Sequence, residues 1–151
     1  MNIDEFKKKV GNKSRLLGID PGKKNIGIAI CDENASVATP LTTLKKNKLE
    51  SFLIEINKII DENQIEGIVI GKPINMDGSV GKSAQSALDF AKNISKNITI
   101  PITFWDERLS SQAAFNLTKD LNISISNKII NLDKNSAAFI LQGAIDYLTN
   151  S

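Results

Sequence analysis

Four acidic positions have the types and setting for metal-assisted chemistry. Asp20 stands where the apolar run Leu16 to Ile19 gives way to a Pro-Gly turn. Asp106 and Glu107 follow the strand-like run Ile98 to Trp105, and Asp133 precedes a helical pattern. A strand that rises out of a core and ends in an acid lifts the carboxylate to the rim of a sheet, where it can hold a divalent cation. Glycines beside it let a phosphate come close to the backbone. Taken singly, each acid has a plain structural explanation: Asp20 opens a turn, Asp106 bounds a strand, Glu107 pairs with Arg108, and Asp133 caps a helix. Taken together, acids from three separate segments make an oxygen donor set for one or two Mg2+ or Mn2+ ions. Two such ions about 3.5–4 Å apart activate a water and stabilise the leaving oxygen of a phosphodiester.

Neighbouring residues at a strand end point to opposite sides, so only one of Asp106 and Glu107 can face such a site. Glu107 is taken, because Asp106 follows Trp105 directly and can tie down the loop instead. Arg108 either holds a substrate phosphate or neutralises the acids. Lys23 and Lys24, in the turn after Asp20, either steady the substrate or are solvated turn charge.

The composition narrows the alternatives. The chain has 151 residues, no histidine and one cysteine, Cys31. Internal disulfides, Cys/His zinc sites and Ser-His or Cys-His nucleophilic machinery are thereby excluded. Cys31 ends an apolar strand pattern and reads as a small buried hydrophobe. The net charge of +2 is unevenly spread: residues 1–24 carry seven basic side chains against three acids, leaving the remainder net acidic. A basic end beside the Asp20 turn suits a polyanion, although Lys7 to Lys9 also fit a solvated, frayed terminus. No apolar run approaches the roughly 18 residues of a membrane span, and the N-terminus lacks a signal-peptide apolar region, so a cytoplasmic protein is expected.

The elements that must position these residues follow from periodicity. A single domain over 1–151 is expected, with 1–14 a flexible polar lead. Residues 15–20 and 26–31 read as a hairpin, and Ser36 to Leu44, interrupted by Pro40, as an edge strand. Leu49, Phe52, Leu53, Ile56, Ile59 and Ile60 make an amphipathic helix, and Gly67 to Gly71 a strand covered on both faces. A helix carries Ala84, Ala87, Leu88, Ala91 and Ile94, and Ile98 to Trp105 forms the last strand. A helix capped by Ser110 follows, with Ala113, Ala114, Leu117 and Leu121 inward. Asn122 to Asn131 reads as a mobile polar segment before a last helix beginning near Asp133. The order gives an α/β fold with one mixed sheet and helices on its faces. Right-handed crossovers set the strands ending at Ile70 and Trp105 parallel to the first, so their ends share a rim with Asp20. Gly81-Lys82-Ser83 imitates the end of a P-loop, but Met76 stands where that pattern needs glycine.

Five segments together resemble the YqgF/RuvX type of pre-16S rRNA nuclease, also called Holliday-junction-resolvase-like. They are Leu17 to Ala29, Pro40 to Leu44, Ile68 to Ser79, Trp105 to Ser110 and Asp133 to Gln142, in the family's order. The resemblance implies an RNase H-like fold, a five-stranded sheet of three antiparallel strands followed by two parallel ones. It implies a metal-dependent nuclease, a hydrolase of ester bonds, acting in 5′ end maturation of 16S rRNA. Asp20, Glu107 and Asp133 would be the acidic metal set. Asn25 stands where the family usually has Arg, and the often basic loop before the last acid keeps only Lys128, which thins the grip on phosphates. Pre-rRNA is the favoured partner, with ribosomal particles and branched DNA as further partners, and the protein is expected to be a monomer or weak homodimer. The alternatives are a junction-cleaving DNA nuclease, a binding module for nucleic acid or ribosomes without catalysis, and an actin-like ATPase. The last is disfavoured because such enzymes combine two domains of this size.

Overall fold

Strand β1, Leu16–Pro21, begins with four consecutive buried residues, the mark of a strand covered on both faces. The structure is a computed structural model that describes residues 1–11, 13–22, 25–45, 48–72, 81–106 and 125–150. For 83, 84, 125–135 and 150 the description is of backbone alone. β1 pairs antiparallel with β2, Asn25–Cys31, so that Asp20 lies opposite Gly27. β2 pairs in turn with β3, Ala38–Lys45, with a register shift between Ile28 and Ala29. That irregularity falls beside Pro40, which has no amide to give a ladder, and β3 lies at the sheet edge as expected. β4, Gly67–Lys72, runs parallel to β1, and β5, Ile102–Asp106, parallel to β4. The sheet order is β3-β2-β1-β4-β5, three antiparallel strands and then two parallel ones.

Alternation along the strands divides the core in two. Leu17, Ile19, Ile26, Ile28, Ile68 and Ile70 face helices α2, Leu49–Asn63, and α3, Lys82–Ser95, where Phe52 and Phe90 meet edge to face at 5.1 Å. Leu16, Ala29, Cys31 and Val69 face the other way, against α1, Ile3–Val10, and α4, Ile125–Asn150. This second face carries Asp20, because it is two residues on from Gly18, whose hydrogen faces Leu141 of α4.

Three expectations are corrected. The last strand, expected from Ile98, begins at Ile102. Residues 3–10 form α1 rather than a flexible lead: Phe6 is fully buried in the second core, and Asn2 caps the helix by accepting from the Glu5 amide at 2.8 Å. The last helix begins at Ile125, not near Asp133, so Asp133 is not its N-cap and residues 125–131 are helical. Ile125, Ile129 and Leu132 recur at helical spacing, which the intervening Asn and Ser residues obscure. The helix expected after Ser110 lies outside the described residues.

Candidate functional site

Asp20 reaches the rim because β1 stays apolar through Ile19 and then turns. The Gly22 amide donates to the Asp20 carbonyl at 2.9 Å, closing a tight turn directly after the acid. Helix α4 crosses above it. The approach is close because an added Cβ at Gly18 would lie 2.8 Å from Leu141 Cβ and 3.0 Å from the Ala137 carbonyl oxygen. At Gly27, opposite Asp20, a Cβ would lie 3.4 Å from Ala137 Cβ and 3.5 Å from Asp20 Cβ. Anything larger than a methyl group there would crowd the carboxylate.

The close crossing brings Ser136 of α4 onto Asp20, and the Ser136 hydroxyl donates a hydrogen bond to Asp20 Oδ2. A hydroxyl bonded to one carboxylate oxygen fixes the rotamer of the acid. Asp20 and Ser136 open into a cavity of about 430 Å3, walled on its far side by Asn25, Thr42 and Thr43. The described lining holds one carboxylate, three hydroxyls and one amide, with no cationic side chain. Oxygen donors of this kind suit hard cations rather than zinc or copper.

The other candidates are placed as follows. Asp106 ends β5 opposite Lys72, one residue beyond the Trp105–Gly71 pair. Phe104 packs with the α2/α3 core and Trp105 with the α4 core, so alternation puts Asp106 on the face away from Asp20. Asp133 lies in α4 one turn before Ser136, described in backbone alone. Lys23, Lys24, Glu107 and Arg108 lie outside the described residues. Among the described residues no three acids, histidines or cysteines gather into a metal-binding group. Cys31 is buried, as expected; its sulfur accepts from the Leu16 amide at 3.1 Å, and burial is the leading cause that pushes its thiol pKa up. That makes it a packing residue rather than a nucleophile.

Ser136 and Thr43 are not singled out by the sequence, and Asn25 only as the position where the resemblance leads to an expected Arg. The available signal was the small run Ser136-Ala137-Ala138 one turn after Asp133, which a helix closely crossing a glycine-bearing strand requires.

Comparison with known proteins shows the family and the fold. The RuvX family model, described as Holliday junction resolvase, matches residues 14–147, so α1 lies ahead of the match. A protein of Pelagibacter ubique named "Putative pre-16S rRNA nuclease" is 51% identical over 150 residues, covering 99% of both chains. One of the same name from Rhodobacter capsulatus is 42% identical, covering 98% of this chain and 93% of its own. Among solved structures, RuvC of T. thermophilus in complex with Holliday junction substrate superposes with a TM-score of 0.60 at 11% identity, covering 91% of this chain and 96% of that one. The yeast mitochondrial Holliday junction resolvase Ydc2 gives 0.54 at 13% identity, covering 96% and 85%. At those identities the structural likeness shows the fold alone, which is RNase H-like. With a family model spanning nearly the whole strand-and-helix core, and relatives at up to 51% identity over nearly its full length, the chain belongs to the RuvX family.

Proposed function

We propose that this protein is a metal-dependent endonuclease that hydrolyses phosphodiester bonds in the 5′ maturation of pre-16S rRNA. Asp20, Glu107 and Asp133 form its acidic set, and Mg2+ or Mn2+ is its cation. The observation that carries the reading is Asp20: an acid at the carboxyl end of β1, oriented by Ser136 and open to a cavity on the sheet rim. That rim is where open α/β sheets bind ligands. The names of the relatives support the substrate.

The donor chemistry fits a hard cation, being oxygen throughout in a chain without histidine. Bound there, the ion would supply an activated water and charge stabilisation for the leaving oxygen. The chain's own residues do the remaining work. Asp20 presents a carboxylate whose rotamer Ser136 fixes, so that no reorientation is needed on binding. Glu107 is favoured over Asp106 as the acid from its segment, because Asp106 belongs to the opposite face of the sheet. Asp133 shares α4 with Ser136, one turn away, and Lys23, Lys24 and Arg108 bind the substrate phosphates. The same reading places the protein in the cytoplasm, acting on precursor ribosomal particles as a monomer or weak homodimer.

The test is cleavage of a 5′-extended 16S precursor in Mg2+ by wild type and Asp20→Asn. The variant keeps the size of the side chain and loses its charge, so its melting temperature should be unchanged while cleavage falls about a hundredfold or more. Cleavage at the wild-type rate would overturn the assignment. The family model's description favours a second reading, a four-way DNA junction as substrate. Symmetric resolution needs two sites and hence a dimer, so junction cleavage accompanied by a dimeric mass in light scattering would select it.

A further inference from the structure

The cavity beside Asp20 has an unusual lining for a protein that handles a polyanion. Its described polar groups other than Asp20 are neutral: the Asn25 amide and the hydroxyls of Thr42, Thr43 and Ser136. An amide and hydroxyls offer both donors and acceptors, which matches a sugar hydroxyl, itself donor and acceptor, whereas a phosphate offers acceptors alone and is repelled by the Asp20 carboxylate unless a cation lies between.

The sheet register fixes how these groups are spaced. Thr43 pairs with Gly27, and Gly27 pairs with Asp20. The three residues thus form one row across β3, β2 and β1 on the face that α4 covers. With strands about 4.8 Å apart, the backbones of Thr43 and Asp20 stand about 10 Å apart. The residue between them has no side chain, and Ala137 of α4 lies directly over it, so the open space lies to the side of Gly27, where Asn25 and Thr43 line the cavity. Asn25 is two residues before Gly27 and therefore on the same face of β2. Both Asn25 and Thr43 are exposed to the cavity rather than packed into the core. The cavity of about 430 Å3 that these residues line has room for one sugar ring, with the acid on one wall and a hydroxyl and an amide on another.

We propose that Asn25 and Thr43 form a sugar subsite that hydrogen-bonds the ribose 2′-hydroxyl of a nucleotide next to the phosphate addressed by Asp20. The inference rests on the nuclease reading and deepens it, since it names the groups by which this site distinguishes RNA from DNA. The 2′-hydroxyl is both donor and acceptor, and the Asn25 amide and Thr43 hydroxyl together offer both complements. A sugar lacking that hydroxyl leaves them without a partner in the bound complex, and this is how a polar pocket rejects the smaller analogue.

The test uses two RNA duplexes of one sequence, one all-ribose and the other 2′-fluoro on one strand. The fluorine removes the hydroxyl donor while holding the A-form shape. Binding is measured by fluorescence anisotropy with Mg2+ replaced by Ca2+, whose looser coordination seats the phosphate without supporting cleavage. Wild type should bind the ribose duplex about five- to tenfold tighter. In the double variant Asn25→Ala/Thr43→Val the preference should collapse to about unity, mostly through weaker binding of the ribose duplex. Both positions are solvent-facing, and an unchanged melting temperature confirms folding. A preference that survives in the double variant, or a wild type that shows none or binds neither duplex, overturns the subsite. Failure of the nuclease reading looks different: Asp20→Asn would then cleave normally whatever the sugar preference.

Discussion

The hydrogen bond from Ser136 to Asp20 joins residues 116 positions apart and decides how the carboxylate is presented. Ser136→Ala removes a hydroxyl bonded to a charged group in a half-buried place. It is expected to cost about 1–2 kcal/mol in urea unfolding and to weaken Mn2+ binding about tenfold in calorimetry. Ser136→Thr, which keeps the hydroxyl, should recover the metal affinity, an outcome that a purely structural role for the serine would not produce. Asp20 was legible in the sequence because its signal is local: an apolar run stops at an acid, and a Pro-Gly turn follows. Ser136 was not, because its role exists only once α4 has docked over Gly18 and Gly27. Its hydroxyl looks the same in sequence as that of any helical serine.

At the scale of the element, the N-terminal segment shows how composition can mislead. Lys7, Lys8 and Lys9 give it a polar reading, yet a single aromatic side chain decides its fate. Phe6 is completely buried against the α4 side of the sheet. Phe6→Ala should lower stability by about 3–5 kcal/mol in urea unfolding, whereas a loosely attached lead would show no effect. The turn after β2 carries a pH-sensitive fastening. Asp32 accepts from the Val37 amide at 3.0 Å, the Ser36 amide at 2.8 Å and the Ser36 hydroxyl at 2.7 Å. These bonds, the Val37 amide foremost, bring its pKa down from 3.8 to about 2. A depressed carboxylate contributes stability that is present above its unfolded pKa and lost as pH falls through the folded one. Wild type should therefore melt higher than Asp32→Ala at neutral pH, and the gap should close between about pH 4 and pH 2. Four of the five strands were legible to within a residue or two because their alternation and apolar runs are strong, while β5 begins at Ile102 and not at Ile98, since Pro101 has no amide to give a ladder. The start of α4 was missed because Asn and Ser between Ile125 and Leu132 favour turns locally, while the helix is set by its long packed continuation.

At the scale of the whole molecule, the sheet order explains why distant acids can share one place. Parallel β4 and β5 on one flank and the β1–β2 hairpin on the other bring their ends to a common rim, over which α4 lies. The sequence order of strands and helices was sufficient to derive that topology, and with it the fold class. What it could not convey is that, among the described residues, neutral polar groups line the cavity beside Asp20, an arrangement that depends on the β2–β3 register and its slip near Pro40. The central claim is that Asp20, Glu107 and Asp133 jointly grip one cation site, and calorimetric Mn2+ titration tests it most directly. Wild type should bind, and Asp20→Asn, Glu107→Gln and Asp133→Asn should each weaken binding about tenfold or more without lowering the melting temperature. Unaltered Mn2+ affinity in Asp20→Asn would contradict it.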